Sequence, residues 1–339
     1  IMPEMYGLEL CRALRSQPEL AGLKIIIASA KSYDFDRRRA REFGADGYIV
    51  KPIQKDTFVA QMLALISDEL KVRYWGVHGT LPVPGPTTLR YGGNTSCVSV
   101  EVGDEPLYIF DCGTGIKQLS DHLGKANIPR LSARIFITHT HWDHINTFPF
   151  FAPLYVRGNQ VEVFGPYQGD PTTEKAIAAQ MESVYFPVTI REFGARLIFR
   201  DLREESVDFG PVRVETMLLK HPGYCLGYRL NYRGKSVCYI TDNELHLKDD
   251  PRYDPAYVER LAKFVEGTDL LIADTTFRDE EYPAKVDWGH SCVSEVAYLA
   301  ARAKVKRLHL FHHDIEQGDA EIDLKLADMR VALDKLCLL

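Results

Sequence analysis

Thr138-His139-Thr140-His141-Trp142-Asp143-His144 closes an apolar run at residues 133–138, and the fold turns on how this stretch is read. Four side chains that commonly bind metals, His139, His141, Asp143 and His144, fall within six residues. A strand that ends abruptly in a turn can fan alternate side chains toward one point. The run therefore predicts a shared centre rather than a polar loop. Imidazole and carboxylate together suit zinc, manganese or iron. Trp142 is expected to pack beside that centre.

Working outward, further donors follow predicted strands. His221 lies in residues 218–230, LLKHPGYCLGYRL. Asp242 ends the run 236–242, SVCYITD, and His312 and His313 end 308–313, LHLFHH. Strand side chains alternate between faces, so only one of His312 and His313 points inward, and His312 is the expected one. Asp111-Cys-Gly-Thr-Gly115 lies upstream of the histidine cluster. Downstream, Asp274 stands in ADTTF and His290 in WGHS. His78, His122, His246 and His309 are expected at the surface or in the core.

In this order the motifs resemble the metallo-β-lactamase superfamily of hydrolases, and within it the phosphodiesterase-like branch that includes tRNase Z. The resemblance spans nearly all of residues 71–339 and implies an α/β protein built as an αββα sandwich. It implies one metal at His139, His141 and His221, a second at Asp143, His144 and His312, and Asp242 bridging the two. Two divalent ions, zinc first and manganese or iron as alternatives, would share a water and lower its pKa toward neutrality. Asp143, His290 and Asp274 make up the implied catalytic set, with His290, oriented by Asp274, donating a proton or holding the phosphate. Asp111 would accept a hydrogen bond from a ligand imidazole. Two departures bear on the branch. Position 78 is His where those relatives carry Arg. His141 stands where redox di-iron members usually carry Glu, which disfavours that chemistry.

Residues 1–70 have a separate, shorter α/β rhythm, with strands expected at 24–29 and 47–51 and helices at 5–15, 34–43 and 56–70. MPEMYGLEL (2–10), IIIASA (25–30) and FGADGYIVKPI (43–53) resemble the second half of a response-regulator receiver domain, a flavodoxin-like fold. Ser29, Tyr48 and Lys51 would then be the phosphoryl-sensing hydroxyl, the aromatic switch and the phosphate-binding lysine. By the family spacing the phosphoacceptor aspartate falls two residues before Ile1. The chain thus reads as a receiver-like segment at 1–70 and a hydrolase domain at 71–339.

Residues 1–70 hold ten basic and ten acidic residues, so the net charge of −6 belongs wholly to 71–339. That balance opposes binding a long polyanion and points to a small anionic substrate. Seven scattered cysteines without a CxxC fit a reducing cytoplasm. No apolar stretch near the N-terminus is long enough to span a bilayer, so no membrane partner is expected. The expected activity is dinuclear-metal hydrolysis of a small phosphodiester, a cyclic nucleotide or cyclic dinucleotide, in a two-component signalling context. A sensor kinase acting through a complete receiver and a second copy of the chain are the expected partners. The alternatives are a tRNA 3′-end ribonuclease and a non-catalytic output module.

Overall fold

The computed structural model describes residues 6–66, 69–103, 105–126 and 130–337. The N-terminal segment holds α1 (Gly7–Arg15), β1 (Ile26–Ser29), α2 (Asp34–Glu42), β2 (Gly47–Val50) and α3 (Lys55–Ile66). β1 and β2 pair in parallel from Ile26↔Gly47 to Ser29↔Val50. Cys11, Ala40, Ala45 and Tyr48 form its small core. The helix expected at 56–70 ends at Ile66, and Leu70 already opens the next strand, where it pairs with Val102.

The first large sheet holds β3 (Leu70–Gly76), β4 (Cys97–Val102), β5 (Leu107–Phe110), β6 (Ser132–Phe136), β7 (Gln160–Pro166) and β8 (Arg196–Leu202) in that spatial order. Its β3–β4–β5 edge is antiparallel and β5 to β8 run parallel. Its crossovers carry α4 (Gly115–Lys125), the single-turn α5 (Trp142–Ile145) and α6 (Thr173–Ala179). The apolar spacing at 174–185 predicts a longer helix than α6. α6 stops early because Gln180 at the cap turns its amide onto the carbonyl of Ile145 (2.9 Å), and turns follow at Glu182–Phe186.

The second sheet runs β9 (Ser206–Phe209), β10 (Val212–Leu219), β11 (Cys225–Tyr232), β12 (Lys235–Ile240), then, beyond α7 (Pro255–Phe264), β13 (Leu270–Asp274) and, beyond α8 (Val293–Arg302), β14 (Leu308–Phe311). α9 (Asp319–Cys337) completes the described chain. Arg233 and Gly234, both at positive φ, make the tight β11–β12 turn, as a two-residue hairpin requires.

The hydrophobic pattern stacks these elements into layers. Val98, Val100, Tyr108, Phe110 and Phe136 of the first sheet meet Val214, Tyr228, Leu230, Tyr239 and Phe311 of the second. The outer face of the second sheet packs on α7, α8 and α9 through Leu261, Val296, Leu299 and Met329. The outer face of the first packs on α4 and its neighbours through Ile116, Leu119 and Ile177. The expected αββα sandwich is the observed architecture, with the receiver-like segment before it. No helix among the described residues is long and apolar enough to cross a membrane.

The segment and the sandwich touch through ion pairs. Arg41 meets Glu105 at 2.8 Å, and Arg233 meets Asp46 at 3.2 Å. Glu105 and Arg233 lie in turns that precede β5 and β12. The chemistry-bearing residues follow the other ends of those strands, so the segment rests on the end of the sandwich away from them.

Candidate metal centre

Each element delivers its donor just past the end of a strand. Asp111 follows β5, His139 lies past β6, His221 past β10, Asp242 past β12 and His312 next to β14. Asp111, Asp242 and His312 have φ of 60°, 47° and 58°. This left-handed region is uncommon for residues with a Cβ, and such strain persists where the surroundings over-determine it, characteristically at functional sites. The single turn of α5 buries Asp143 and His144 and sends Trp142 outward.

The donors converge as two groups around Asp242. Its Oδ2 lies 3.5 Å from His139 Nε2 and 3.7 Å from His221 Nε2. Its Oδ1 lies 3.2 Å from both His144 Nε2 and His312 Nε2. His141 Nδ1 is 3.1 Å from His221 Nε2. Asp143 Oδ2 lies 3.1 Å from His144 Nε2 and 3.3 Å from His312 Nε2. His139, His141 and His221 thus form one cluster, and Asp143, His144, Asp242 and His312 the other.

The atoms behind these donors set their tautomers. His144 Nδ1 donates to Asp111 Oδ2 at 2.8 Å, and His221 Nδ1 donates to the Gly289 carbonyl at 3.1 Å. Each Nε2 is left with its lone pair facing the centre, the arrangement that orients imidazole toward a metal. Asp111 is itself held by Thr138 and by the Tyr239 hydroxyl. Burial lowers the pKa of His139, His141 and His221, so they present neutral nitrogens. Burial also opposes charge on His144, but Asp143, Asp242 and Asp111 outweigh it and raise its pKa. The same carboxylates that hold a proton on this ring would hold a divalent cation in its place and free the Nε2 lone pair. Nε2 of His139 and of His144 are buried with no hydrogen-bond partner. Buried polar atoms are rarely left so. Orphaned imidazole lone pairs interleaved with carboxylate oxygens fit divalent cations.

His290 completes the rim. Its Nδ1 lies 2.8 Å from Asp274 Oδ2, and its ring stacks on His312 at 4.7 Å. Burial works against its charge, yet Asp274 with Asp242 and Asp143 pushes its pKa up to about 9. Asp274 also accepts from the amides of Asn243 and Thr276 and from the Thr276 hydroxyl, so its carboxylate is fixed. A cavity of about 430 Å³ opens over His141, Asp143, His221, Asp242, His290 and His312. A larger groove of about 730 Å³ lies between β9–β11 and α7, lined by Glu204, Arg229 and Arg260, and contains none of these histidines.

The structure thus brings together every site residue singled out from the sequence. His312 faces the centre, whereas His313 packs against His78 behind it. Trp142 departs from expectation: it is 79% exposed instead of packed. His78 is fully buried and both its ring nitrogens lack partners. The receiver-like residues lie elsewhere. Tyr48 is buried with its hydroxyl on the Lys31 carbonyl, and Lys51 is exposed.

Other participants carry no motif. The Thr80 amide donates to Asp143 Oδ2 at 2.8 Å. Gly79 leaves room for His312, since a Cβ there would lie 2.1 Å from its ring. Buried Glu244 accepts from the amides of Asp287 and Gly289 and from the Tyr282 hydroxyl, and so holds the turn that carries His290. Its place two residues after Asp242 was the available signal.

Residues 108–313 match the family model described as the Beta-lactamase superfamily domain, and residues 1–63 that of the response regulator receiver domain. Ribonuclease Z of Thermoplasma acidophilum is 23% identical over 303 residues, spanning 77% of this chain and 91% of the relative. The crystal structure of the metallo-beta-lactamase fold protein YhfI from Bacillus subtilis superposes with a TM-score of 0.56 at 19% identity, covering 77% of this chain and 93% of that one. Unliganded yeast PDE1 superposes with a TM-score of 0.58 at 14% identity, covering 79% and 95%. At such identities the superpositions speak to the fold alone. The family match covers more than half of the chain, and so the chain belongs to the beta-lactamase superfamily, as a metallo-β-lactamase-fold hydrolase with Ribonuclease Z among its relatives.

Proposed function

We propose that residues 71–339 form a metal-dependent phosphodiesterase acting on a small nucleotide diester, and that residues 1–70 are a receiver-type segment coupled to it. The observation that carries this reading is the split of donors around Asp242, with His139, His141 and His221 near one oxygen and His144 and His312 near the other. Two divalent ions held there, zinc in first place, would supply Lewis acidity to phosphoryl oxygens and acidify a water nucleophile. Asp242 would serve both ions, and Asp143 would complete the second. The chain's own groups do the rest. His290 holds a proton at Nε2 for the leaving oxygen, and Asp274 keeps the ring aimed through Nδ1. Asp111 keeps His144 in one tautomer.

A second reading, cleavage of tRNA 3′ ends, is favoured by the curated relatives, which are named Ribonuclease Z. The net charge of −6 on 71–339 argues for the smaller substrate, since phosphate-backbone binding depends on cationic side chains. The test is elemental analysis of purified protein followed by assay on bis(p-nitrophenyl) phosphate, a panel of cyclic nucleotides and dinucleotides, and a precursor tRNA. We expect about two metals per chain and turnover of the aryl ester and of a cyclic nucleotide. Turnover of the precursor tRNA alone would favour the second reading. A metal-loaded protein inert on all three would overturn both and leave a non-catalytic output module.

A further inference from the structure

We propose that Trp142, Tyr224 and Trp288 form an aromatic rim that stacks the nucleobase of the substrate, an inference that rests on the phosphodiesterase reading. Each ring is tethered to a pocket histidine: Trp142 follows His141, Tyr224 lies three residues past His221, and Trp288 stands two before His290. Those histidines are mutual neighbours. His141 Nδ1 is 3.1 Å from His221 Nε2, and the His221 ring is 5.3 Å from that of His290. Their turns also press together, since a Cβ at Gly289 would lie 2.7 Å from Pro222 Cδ. Yet the rings face water, at 79%, 51% and 57% exposure for Trp142, Tyr224 and Trp288. Trp142 lines the cavity itself, and Tyr224 and Trp288 stand on the turns that carry its His221 and His290; exposed large apolar side chains grouped around a site mark it for interaction.

The chemistry of the cavity narrows the ligand. Thr80, Thr140, Trp142, the histidines and two aspartates line it, with no aliphatic side chain among them. An acyl chain or an apolar peptide side chain would find no matching wall. A planar polar heterocycle joined to a phosphate fits, with its π-face on the aromatic rim. The Lys285 ammonium, 4.2 Å over the Trp288 ring, adds a cation at the same edge.

The test compares adenosine 5′-(p-nitrophenyl phosphate), which carries a base, with methyl p-nitrophenyl phosphate, which does not. The readout is the ratio of their kcat/KM values. Trp142→Ala and Trp288→Ala should each lower that ratio about tenfold, and Trp142→Phe should retain most of it. An unchanged ratio in both alanine variants would overturn the rim. Tryptophan fluorescence gives a reading independent of turnover. AMP should quench it in the wild type and ribose 5-phosphate should not. Quenching without turnover of any diester keeps the rim and sinks the phosphodiesterase reading. Turnover with neither quenching nor base preference does the reverse.

Discussion

Asp242 presents one carboxylate oxygen to His139 and His221 and the other to His144 and His312. A side chain so divided has no freedom to move without disturbing both groups. Its left-handed backbone is part of the same constraint. Asp274 works at one remove. It acts through His290: its four accepted hydrogen bonds freeze the carboxylate that orients that ring. Asp274→Asn keeps the shape and loses the charge. We expect kcat to fall about 10²–10³-fold, the usual worth of a positioned acid, with bound metal per chain unchanged. A parallel loss of metal would mean that Asp274 acts through the ligands instead.

At the level of elements, α9 reaches the site through one side chain. Lys325 is fully buried, and its ammonium bonds the Thr276 carbonyl at 3.0 Å and Gln317 Oε1 at 2.6 Å. Thr276 in turn holds Asp274 and His312. Burial lowers the Lys325 pKa to about 7, although Asp274, Glu281 and Asp314 pull it upward. An unfolded lysine titrates near 10.4. Between these values the unfolded chain binds a proton that the folded chain does not, so this group makes stability rise with pH from about 7 to about 10. Below about pH 7 its full cost is present. Lys325→Met should remove that slope, and urea unfolding at pH 7, 8 and 9 measures it. The stability of the variant relative to wild type should decline by a few kcal/mol across the series, about 1.4 kcal/mol per unit at most. Parallel pH profiles would show that the amine keeps its ordinary pKa. The pH-independent offset reports the bonds lost at Thr276 and Gln317.

Across the whole molecule, the receiver-like segment and the centre occupy opposite ends of the sandwich. Two of the ion pairs between the segment and the sandwich sit on turns that lead into β5 and β12, strands whose near turns carry Glu105 and Arg233 and whose far ends carry Asp111 and Asp242. The Glu105 side chain is only 3% exposed, so its pairing with Arg41 is better shielded than a surface ion pair. Arg41→Ala should cost about 1–3 kcal/mol, between the exposed and the buried limits. Chemical denaturation at low and high salt checks this. A loss within about 0.5 kcal/mol would mark the pair as incidental.

Much of the fold and site was legible in the sequence. Metal donors are few in kind, and HTHWDH packs four into six residues. Strands of the sandwich read either as apolar runs, as at Leu270–Asp274, or as apolar–polar alternation, as at Val212–Leu219. β9 was not legible, because Ser206–Phe209 is short and half polar and earns its pairing only from β10. The sequence by itself determined which donors exist, their order, and the layered class they belong to, since composition and periodicity are local properties. Tertiary structure alone decided that Asp143 meets His312 across 169 residues. It also decided that Trp142 faces water and that Glu244 and Lys325 brace the site from behind. Those outcomes depend on which strand ends lie side by side and on the burial and pairing that follow, and no window along the chain holds both partners.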